Sequence, residues 1–540
     1  MKKLPLLFWI ALSLGILFRF VFLSTTPPSL SHDEVAIGYN AYSILKTGRD
    51  EFGTSFPILF RSFDDYKLPG LVYATAPSVG IFGLNELGVR FPSALLGVIA
   101  VIAVYGISLA FLPPKKAALI MLLFAVAPWP INFSRQAFET SGSVTFFLLG
   151  VWSLLLFRKR PKILFISALC FVLSLYFYYS VRLIIPFVLL VFAVIERKYL
   201  MKHIVISSAS LLLGGLLLFP LLSVMFSPEG LSRVGIVSVV HDPAYADRKE
   251  AFAIQAAQTT NPVFRLLYNR RIALGLTILE NYTDNLGAKY IFLNGTGKTG
   301  LLHAIELPFF YIGIIVLFFL KSRYKWIAVA WLLAAPLPGA FSTDQPNSLR
   351  FLPAAPVFSL LSGLGALAAL DALKNNALLK RIAIRLFFFL LCFSVILFSY
   401  HYFFYMPRLR AIRFAEGQKE LASYLTEVSH AYDRVYVTGY FWRPYIFQLF
   451  WQAYDPASYQ QGGTLGAFGP YVFTAAAWDK EGIRMSDADF DPKTLVTKND
   501  RALFILAEPE YNIHEDKFNA VATMGGRLQK NVFIAATVKP

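Results

Sequence analysis

The sequence predicts an α-helical polytopic membrane protein that carries a small mixed α/β domain at its C-terminal end. Three observations support this fold class: an apolar composition, long apolar runs separated by short basic links, and a more polar tail without such runs. Of the 540 residues, 56% are hydrophobic and only 15% are charged, and the mean hydropathy is +0.56. A soluble chain would carry about a quarter charged residues. The composition is therefore typical of a chain that folds largely in lipid.

The apolar runs define the predicted membrane domain. A membrane helix needs about 20 mostly apolar residues, and about eleven stretches approach that length. They lie at 4–23, 91–112, 117–133, 142–157, 163–179, 182–195, 203–225, 304–320, 325–341, 350–370 and 383–403. The sequence thus predicts a transmembrane domain over residues 1–403, with large outer loops at 24–90 and 226–303. We expect one interfacial helix and irregular segments in the second loop.

The charges predict the orientation in the membrane. The net charge is +17, which is compatible with nucleic-acid binding as well as with membrane topology. Lysine and arginine, however, cluster in every second link, at 115–116, 158–162, 197–203, 321–325 and 374–385. This is the positive-inside pattern of a plasma (inner) membrane protein, and it argues against a nucleic-acid partner. We therefore expect a multi-pass protein with a cytoplasmic N-terminus, an uncleaved first helix and an extracytoplasmic C-terminal domain.

The tail, residues 404–540, has a different composition. Residues 433–438 and 502–507 have the pattern of strands, and residues 411–430 and 444–454 that of helices. This mixture predicts a small soluble α/β domain. No catalytic motif stands out in it.

The first outer loop gathers more carboxylates and cations than any other link. It begins with Ser31, Asp33 and Glu34, and Asp65-Tyr66-Lys67 follows about thirty residues later. Ser31 and Glu34 fit a capping box, so the two acids could simply begin a helix. The second group on the same side of the membrane favours a site instead.

Other outer links add ionisable residues at the ends of spans. They are Arg135, Glu139, Tyr179, Arg182 and Arg350. Charges near lipid are costly and are usually paired or functional. Snorkelling or topology explains any one of them, and interfacial tyrosines are common anchors. Their position on one predicted face indicates a polar outward-facing site.

The ordered elements of the first half resemble a known superfamily. The Asp33-Glu34 pair after the first helix, the D-Y-K-x-P element at 65–69 and LNELGVRFPSALLGV at 84–98 resemble GT-C glycosyltransferases that use polyprenyl-phosphate sugars. Within that superfamily the chain is similar to protein O-mannosyltransferases and to lipid A aminoarabinose transferases. The resemblance is best over residues 30–195, reaches DQPNSLRFLPAAP at 344–356 and hardly covers the tail. The family commonly has two prolines after the lysine, whereas this chain has Leu68-Pro69.

The resemblance implies a reaction. One sugar would move from a polyprenyl phosphate to a glycan, lipid or protein acceptor on the extracytoplasmic face, with inversion as the family expectation. Asp33 would act as general base, and Glu34 would position it or the acceptor. The leaving phosphate would be stabilised by cations. The candidates are Lys67, Arg135, Arg182 and Arg350.

The remaining candidates have supporting roles under the same resemblance. Asp65 and Glu139 would orient these groups or help to hold a divalent metal, whose presence the sequence leaves open. Tyr66 and Tyr179 would contact sugar or phosphate.

Two other classes of protein compete with this interpretation. A transporter or flippase of lipid-linked sugars would carry its ionisable residues near the bilayer midplane, often on broken helices. A structural or assembly protein would not need so many acids and cations in its outer loops. Here the charges lie at helix ends and in outer links, which favours the enzyme.

Overall fold

The computed structural model describes residues 4–63, 65–296, 299–410, 415–441, 443–476, 483–496, 500–526 and 532–539. Most of these residues are helical. The α-helices are, in chain order, α1 (Leu6–Phe20), α2 (His32–Thr47), α3 (Gly70–Phe82), α4 (Glu86–Ser108), α5 (Pro114–Val126), α6 (Pro128–Ser134), α7 (Glu139–Leu155), α8 (Ile163–Phe177), α9 (Ile185–Lys202), α10 (Ile204–Met225), α11 (Pro228–Val237), α12 (Pro243–Gln258), α13 (Pro262–Leu267), α14 (Arg270–Asp284), α15 (Leu307–Phe319), α16 (Lys325–Ala334), α17 (Leu337–Ala340), α18 (Ser348–Phe351), α19 (Ala355–Ala372), α20 (Ala377–Tyr400), α21 (Met406–Arg410), α22 (Gln418–Val428), α23 (Pro444–Trp451), α24 (Pro456–Gln460) and α25 (Glu508–Ile513). The strands are β1 (Phe60–Ser62), β2 (Asp65–Lys67), β3 (Arg434–Val437), β4 (Ala467–Phe468), β5 (Tyr471–Phe473), β6 (Ala502–Ala507), β7 (Phe518–Met524) and β8 (Phe533–Val538).

The chain divides into two compact units, each built from two segments of sequence. Met1–Val21 and Ser93–Tyr400 form the first, which we call the helical unit. Phe22–Pro92 and His401–Pro540 form the second, which we call the mixed unit. The first outer loop is therefore grouped with the tail, whereas the sequence prediction assigned it to the membrane domain.

The helical unit contains most of the apolar helices. A helix occupies each stretch in which a span was predicted. Within the described residues four helices are long and apolar enough to cross a membrane, or five when α5 and α6, bent by 57°, count as one span. Shorter apolar helices of 10–17 residues accompany them. The protein is thus a multi-pass membrane protein, and the number of about eleven spans stays a prediction.

Two sequence features shape this unit. Pro128 and Pro130 begin α6, and the residue before them, Ala127, is extended, which explains the break after α5. Helices α15 and α19 approach closely at Gly313 and Gly365. A Cβ at either glycine would lie 1.8 Å from a carbonyl oxygen of the facing helix. Small residues therefore permit this contact, as in other membrane helix pairs.

The second outer loop is more helical than expected. Helices α11 to α14 fill most of residues 228–284, where one interfacial helix was predicted. Ser227, Asp242 and Asn261 cap helices whose first residue is proline. These are strong helix-start signals in short segments, and they explain the additional helices.

The mixed unit contains a six-stranded sheet with the order β4-β5-β3-β6-β8-β7. Strand β3 runs parallel to both β5 and β6, and the remaining pairs are antiparallel. All six residues of β6 are buried. This sheet confirms the predicted mixed class of the tail. Strands β3 and β6 and helix α23 lie within their predicted segments, while residues 411–414 of the predicted helix fall outside the described residues.

Candidate active site

The capping box at the start of α2 forms as the sequence predicted. The Ser31 hydroxyl accepts a hydrogen bond from the Glu34 N–H at 3.4 Å, and the Ser31 N–H donates to Glu34 Oε2 at 3.0 Å. At the other end α2 stops at Gly48, whose φ of +68° suits glycine. Asp33 thus lies in the first turn, where the helix dipole favours a carboxylate.

A β-hairpin brings Lys67 to Asp33. Strands β1 and β2 pair antiparallel, with Ser62 opposite Asp65 and Phe60 opposite Lys67. The Lys67 ammonium forms an ion pair with Asp33 Oδ1. The Asp33 side chain is 34% exposed, whereas that of Lys67 is 9% exposed. The carboxylate is therefore accessible to a substrate, and the cation is held beside it by a buried stem.

Two rings border this pair. His32 Nε2 lies 3.6 Å from Asp33 Oδ2, and burial lowers the pKa of His32 below its usual value of 6.5. The Phe63 ring packs edge-on against His32 with centroids 5.7 Å apart. Phe63 follows β1 with a φ of +60°, a conformation that bulky residues rarely adopt. Such strain is often found at functional sites.

Glu34 has a different environment from its neighbour Asp33. Both Glu34 and Arg90 are fully buried, and Arg90 Nε donates to Glu34 Oε1 at 2.9 Å. The Arg90 guanidinium also donates to the carbonyls of Leu23, Pro27 and Ser29. Because both Glu34 oxygens are occupied by Arg90 and Ser31, Glu34 fixes the start of α2 within the unit.

The tail holds the rest of α2. The Tyr39 hydroxyl donates to the carbonyl of Tyr454 at 3.0 Å. Gln460 Nε2 donates to Ser43 Oγ, Thr47 Oγ1 and the Asp50 carbonyl at 2.8–3.1 Å. At Gly38 an added Cβ would lie 2.5 Å from the Phe450 ring. Helices α23 and α24 of the tail therefore position the helix that carries Asp33.

A third carboxylate of this unit forms no ion pair among the described residues. Glu51 is fully buried after α2, and Asn40 Nδ2 donates to its Oε1 at 3.3 Å. Its Oε2 has no hydrogen-bond partner among the described residues. Burial raises the pKa of Glu51 from 4.5 to about 8. Glu51 is therefore protonated near neutral pH.

The remaining predicted residues of the first loop lie on β2. Asp65 Oδ1 accepts a hydrogen bond from the N–H of Tyr66 at 2.7 Å, and Tyr66 pairs with Arg61 across the hairpin. Both side chains are partly exposed. The structure thus brings Asp33, Glu34, Asp65, Tyr66 and Lys67 together in the mixed unit.

The other candidates lie in the helical unit. Arg135 is fully buried and its Nη1 donates to the Phe18 carbonyl at 2.8 Å. Glu139 is the buried first residue of α7. The Arg182 guanidinium lies over the Tyr179 ring, 4.2 Å from its centroid. Arg350 Nη1 donates to the Thr343 carbonyl at 2.6 Å.

Packing groups these segments within the helical unit. Thr140, next to Glu139, donates to the Leu349 carbonyl at 3.2 Å, which joins the start of α7 to the Arg350 segment. Helix α17 contacts both α18 and the 3₁₀ turn Ser180–Leu183, which carries Arg182. Arg182 Nε and Nη2 are buried and have no hydrogen-bond partner among the described residues. They can therefore receive an anion.

The sequence did not single out Arg90. It stands within LNELGVRF, a motif that was recognised, but an arginine near the start of an apolar run resembles a topology charge.

A metal site finds no support among the described residues, which contain no group of three or more His, Cys, Asp or Glu side chains placed to hold an ion.

Comparisons with known proteins show what the chain is similar to. Residues 67–224 match the family described as dolichyl-phosphate-mannose-protein mannosyltransferase. No curated protein matches the chain in sequence. Among solved structures, ArnT from Cupriavidus metallidurans bound to undecaprenyl phosphate is similar over 98% of this chain and 97% of that chain, with a TM-score of 0.57 and 14% identity.

Two archaeal structures are also similar. The oligosaccharyltransferase of Archaeoglobus fulgidus in the apo form has a TM-score of 0.52 and 13% identity over 97% of this chain and 74% of that chain. AglB from the same organism, in complex with an inhibitory peptide and a dolichol-phosphate, has a TM-score of 0.49 and 12% identity over 82% of this chain. That match spans only 62% of the AglB chain. The chain shares its fold with ArnT and with the apo oligosaccharyltransferase, and the predicted resemblance is confirmed.

Proposed function

We propose that the protein is a membrane glycosyltransferase that moves one sugar from a polyprenyl-phosphate donor to an acceptor hydroxyl. The ion pair between Asp33 and Lys67 carries the proposal. It joins an accessible carboxylate and a cation from two separate parts of the first outer loop, as the transfer of a sugar away from a phosphate requires. The complex of ArnT with undecaprenyl phosphate supports the choice of donor.

Asp33 is the proposed general base. The acceptor hydroxyl must lose a proton as its oxygen attacks the anomeric carbon, and a carboxylate within hydrogen-bond reach can receive it. Lys67 and the helix dipole both stabilise the ionised carboxylate and so lower its basicity. The proton is therefore transferred late, when the attacking oxygen has become acidic. Attack from the side opposite the phosphate would invert the anomeric centre.

Lys67 is the first proposed partner of the leaving group. The polyprenyl phosphate departs as an anion, and a lysine ammonium forms strong charge-assisted hydrogen bonds with it. The resemblance also implies Arg182 and Arg350 as partners of the phosphate. Arg135, which is fully buried, would act through its charge rather than through direct contact. Asp65, Glu139, Tyr66 and Tyr179 retain the supporting roles implied by the resemblance.

An apolar groove in the helical unit supports a lipid-linked donor. It has a volume of about 550 Å³ and lies between α9 and α16. Its walls include Phe187, Leu190, Trp326 and Leu333, and Leu337 of α17 completes it. Helix α17 packs on the turn that carries Arg182, whose Nε and Nη2 have no hydrogen-bond partner among the described residues. This arrangement suits an isoprenoid chain with a phosphate at its end.

One assay tests the reaction. The full chain in detergent is supplied with a radiolabelled polyprenyl-phosphate sugar and candidate acceptors, and transfer is measured. We expect Asp33→Asn to lower turnover by about 10²–10⁴-fold, because the base is lost. Asp433→Asn is the matched control, since Asp433 is an exposed aspartate paired with Arg501 in the same unit. Full turnover by Asp33→Asn would contradict the assignment of the base. If the protein in liposomes moved the donor across the bilayer without transferring the sugar, the flippase would be favoured.

A reporter tests the proposed face of transfer. The basic links predict that the C-terminal domain is extracytoplasmic. A reporter fused after Pro540 should therefore be active only outside the cytoplasm. Cytoplasmic activity of the reporter would refute the predicted topology.

A further inference from the structure

Arg19 is a fully buried arginine that the proposed reaction does not use. It lies near the end of α1 within the helical unit, and its Nη1 donates to the carbonyls of Gly15 and Ala125 at 3.2 Å. Its Nε and Nη2 are also buried and have no hydrogen-bond partner among the described residues. Two donors of a charged group are thus unsatisfied in an apolar interior, which is strongly unfavourable.

The charge of Arg19 is also uncompensated. No carboxylate of the described residues forms an ion pair with it, and the charged group that acts on it is the second buried arginine, Arg135. Two like charges in a low-dielectric interior repel each other. A buried cation without a carboxylate needs an anion from another source.

A small, mostly apolar cavity with a few hydroxyl groups adjoins the guanidinium. Its volume is about 20 Å³, and its lining includes Arg19, Gly97 and the hydroxyl residues Ser134, Ser141 and Thr145. A cavity needs about 10–15 Å³ on this measure to hold one water, so the space suits a single water or a single monoatomic ion. A phosphate group is too large for it.

Gly97 keeps this space open. A Cβ at position 97 would lie 2.7 Å from Arg19 Nε and 2.6 Å from the Cβ of Ser134. Any larger residue would therefore close the cavity against the unsatisfied nitrogens. The three hydroxyls currently donate to backbone carbonyls, but a hydroxyl hydrogen rotates freely and can turn towards an anion.

We propose that this cavity binds a halide ion, chloride under ordinary conditions, through the Nε–H and Nη2–H groups of Arg19. Serine and threonine hydroxyls complete the shell. The ion compensates the guanidinium charge and joins the outer part of α1 to α4, α6 and α7. The site is independent of the proposed transferase reaction.

Anomalous diffraction tests the site without any substitution. Crystals of the full chain grown in sodium bromide should show a bromide peak beside Arg19 Nε and Nη2. Density without an anomalous signal would mean that a water occupies the cavity, and bromide found only on the surface would mean adventitious binding. Either result would overturn the proposal.

Thermal unfolding in detergent gives an independent test. At constant ionic strength, replacing sodium gluconate by sodium chloride should raise Tm by about 2–4 °C through preferential binding to the folded state. Ser141→Ala should reduce this rise. Ser143→Ala should preserve it, because Ser143 lies on the same helix but bonds to Ser174. If Tm were the same in chloride and in gluconate, a specific halide site would be contradicted. The same would follow if both variants lost the rise in Tm to the same extent.

Discussion

Asp33 and Glu34 are adjacent acids with opposite environments. Glu34 is fully buried, and its carboxylate joins the start of α2 to Arg90 and Ser31. Asp33 is one-third exposed and pairs with Lys67, which comes from a separate hairpin. Consecutive residues of a helix point about 100° apart, so one acid faces the core while the other faces solvent. The comparison teaches that the sequence motif Asp-Glu contains one structural and one chemically available carboxylate.

Arg90→Met should have the largest effect on stability. It would leave Glu34 buried without its cation, which typically costs about 3–5 kcal/mol. The free energy of unfolding in detergent measures this loss. The double variant Glu34→Gln with Arg90→Met should be less destabilised than Arg90→Met alone, because no charge remains buried. If the double variant were the less stable of the two, the structural role of the pair would be wrong.

Lys67→Met should affect activity rather than folding. The lost cation would lower turnover by about 10²-fold, or about 3 kcal/mol in the barrier to transfer, as for removal of one electrostatic stabiliser elsewhere. Asp33 can be solvated when Lys67 is absent, so the free energy of unfolding should change little. Lys67→Arg serves as the control and should retain part of the turnover. A Lys67→Met protein that turns over normally would remove this residue from the site.

Glu51 sharpens the comparison, because it is buried like Glu34 but forms no ion pair among the described residues. Its pKa is raised to about 8 in the folded protein, so between about pH 4.5 and 8 the folded state retains a proton that the unfolded state releases. Stability from this group is therefore greatest below pH 4.5 and falls as pH rises, by about 1.4 kcal/mol per pH unit at most.

Glu51→Gln should remove that dependence and stabilise the protein at pH 8–9. Tm measured from pH 5 to 9 tests it, with Glu508→Gln, an exposed glutamate of the same unit, as the control. A wild-type Tm that rises over this range relative to the Glu51→Gln variant would reverse the assigned sign.

Ser31→Ala should have the smallest effect of the four. The variant loses the N-cap hydrogen bond of α2, worth about 1 kcal/mol. Because Arg90 still fixes Glu34, the helix should keep its place and turnover should fall only slightly. A loss of activity as large as that of Lys67→Met would mean that the cap, rather than Arg90, positions Asp33.

Local signals explain which features the sequence could predict. The capping box depends on residues three apart, and the apolar runs and strands have their own periodicities, so α2, the long helices and β6 were predictable. Lys67 could be grouped with Asp33 as a candidate because it stands in the same loop. Helix α3 was not predicted, since 13 residues are too short for a span.

Contacts between residues far apart in the sequence could not be predicted from such local patterns. Arg90 acts through carbonyls of residues 23–29 and through Glu34, and no local pattern reveals such partners. Likewise, Tyr39 and Gln460 each donate a hydrogen bond to a residue more than 400 positions away along the chain, and both bonds join the α2 segment to the tail. Only the folded arrangement shows that the tail and the first loop form one unit.

That arrangement limits how the protein can be recombined with its relatives. Because Phe450, Tyr454 and Gln460 hold α2 in place, residues 401–540 are not an exchangeable module. A chimera that imports only a foreign tail would present a mismatched surface to the helix bearing Asp33. Residues 22–92 must therefore be transplanted together with residues 401–540, because the two segments pack as one unit.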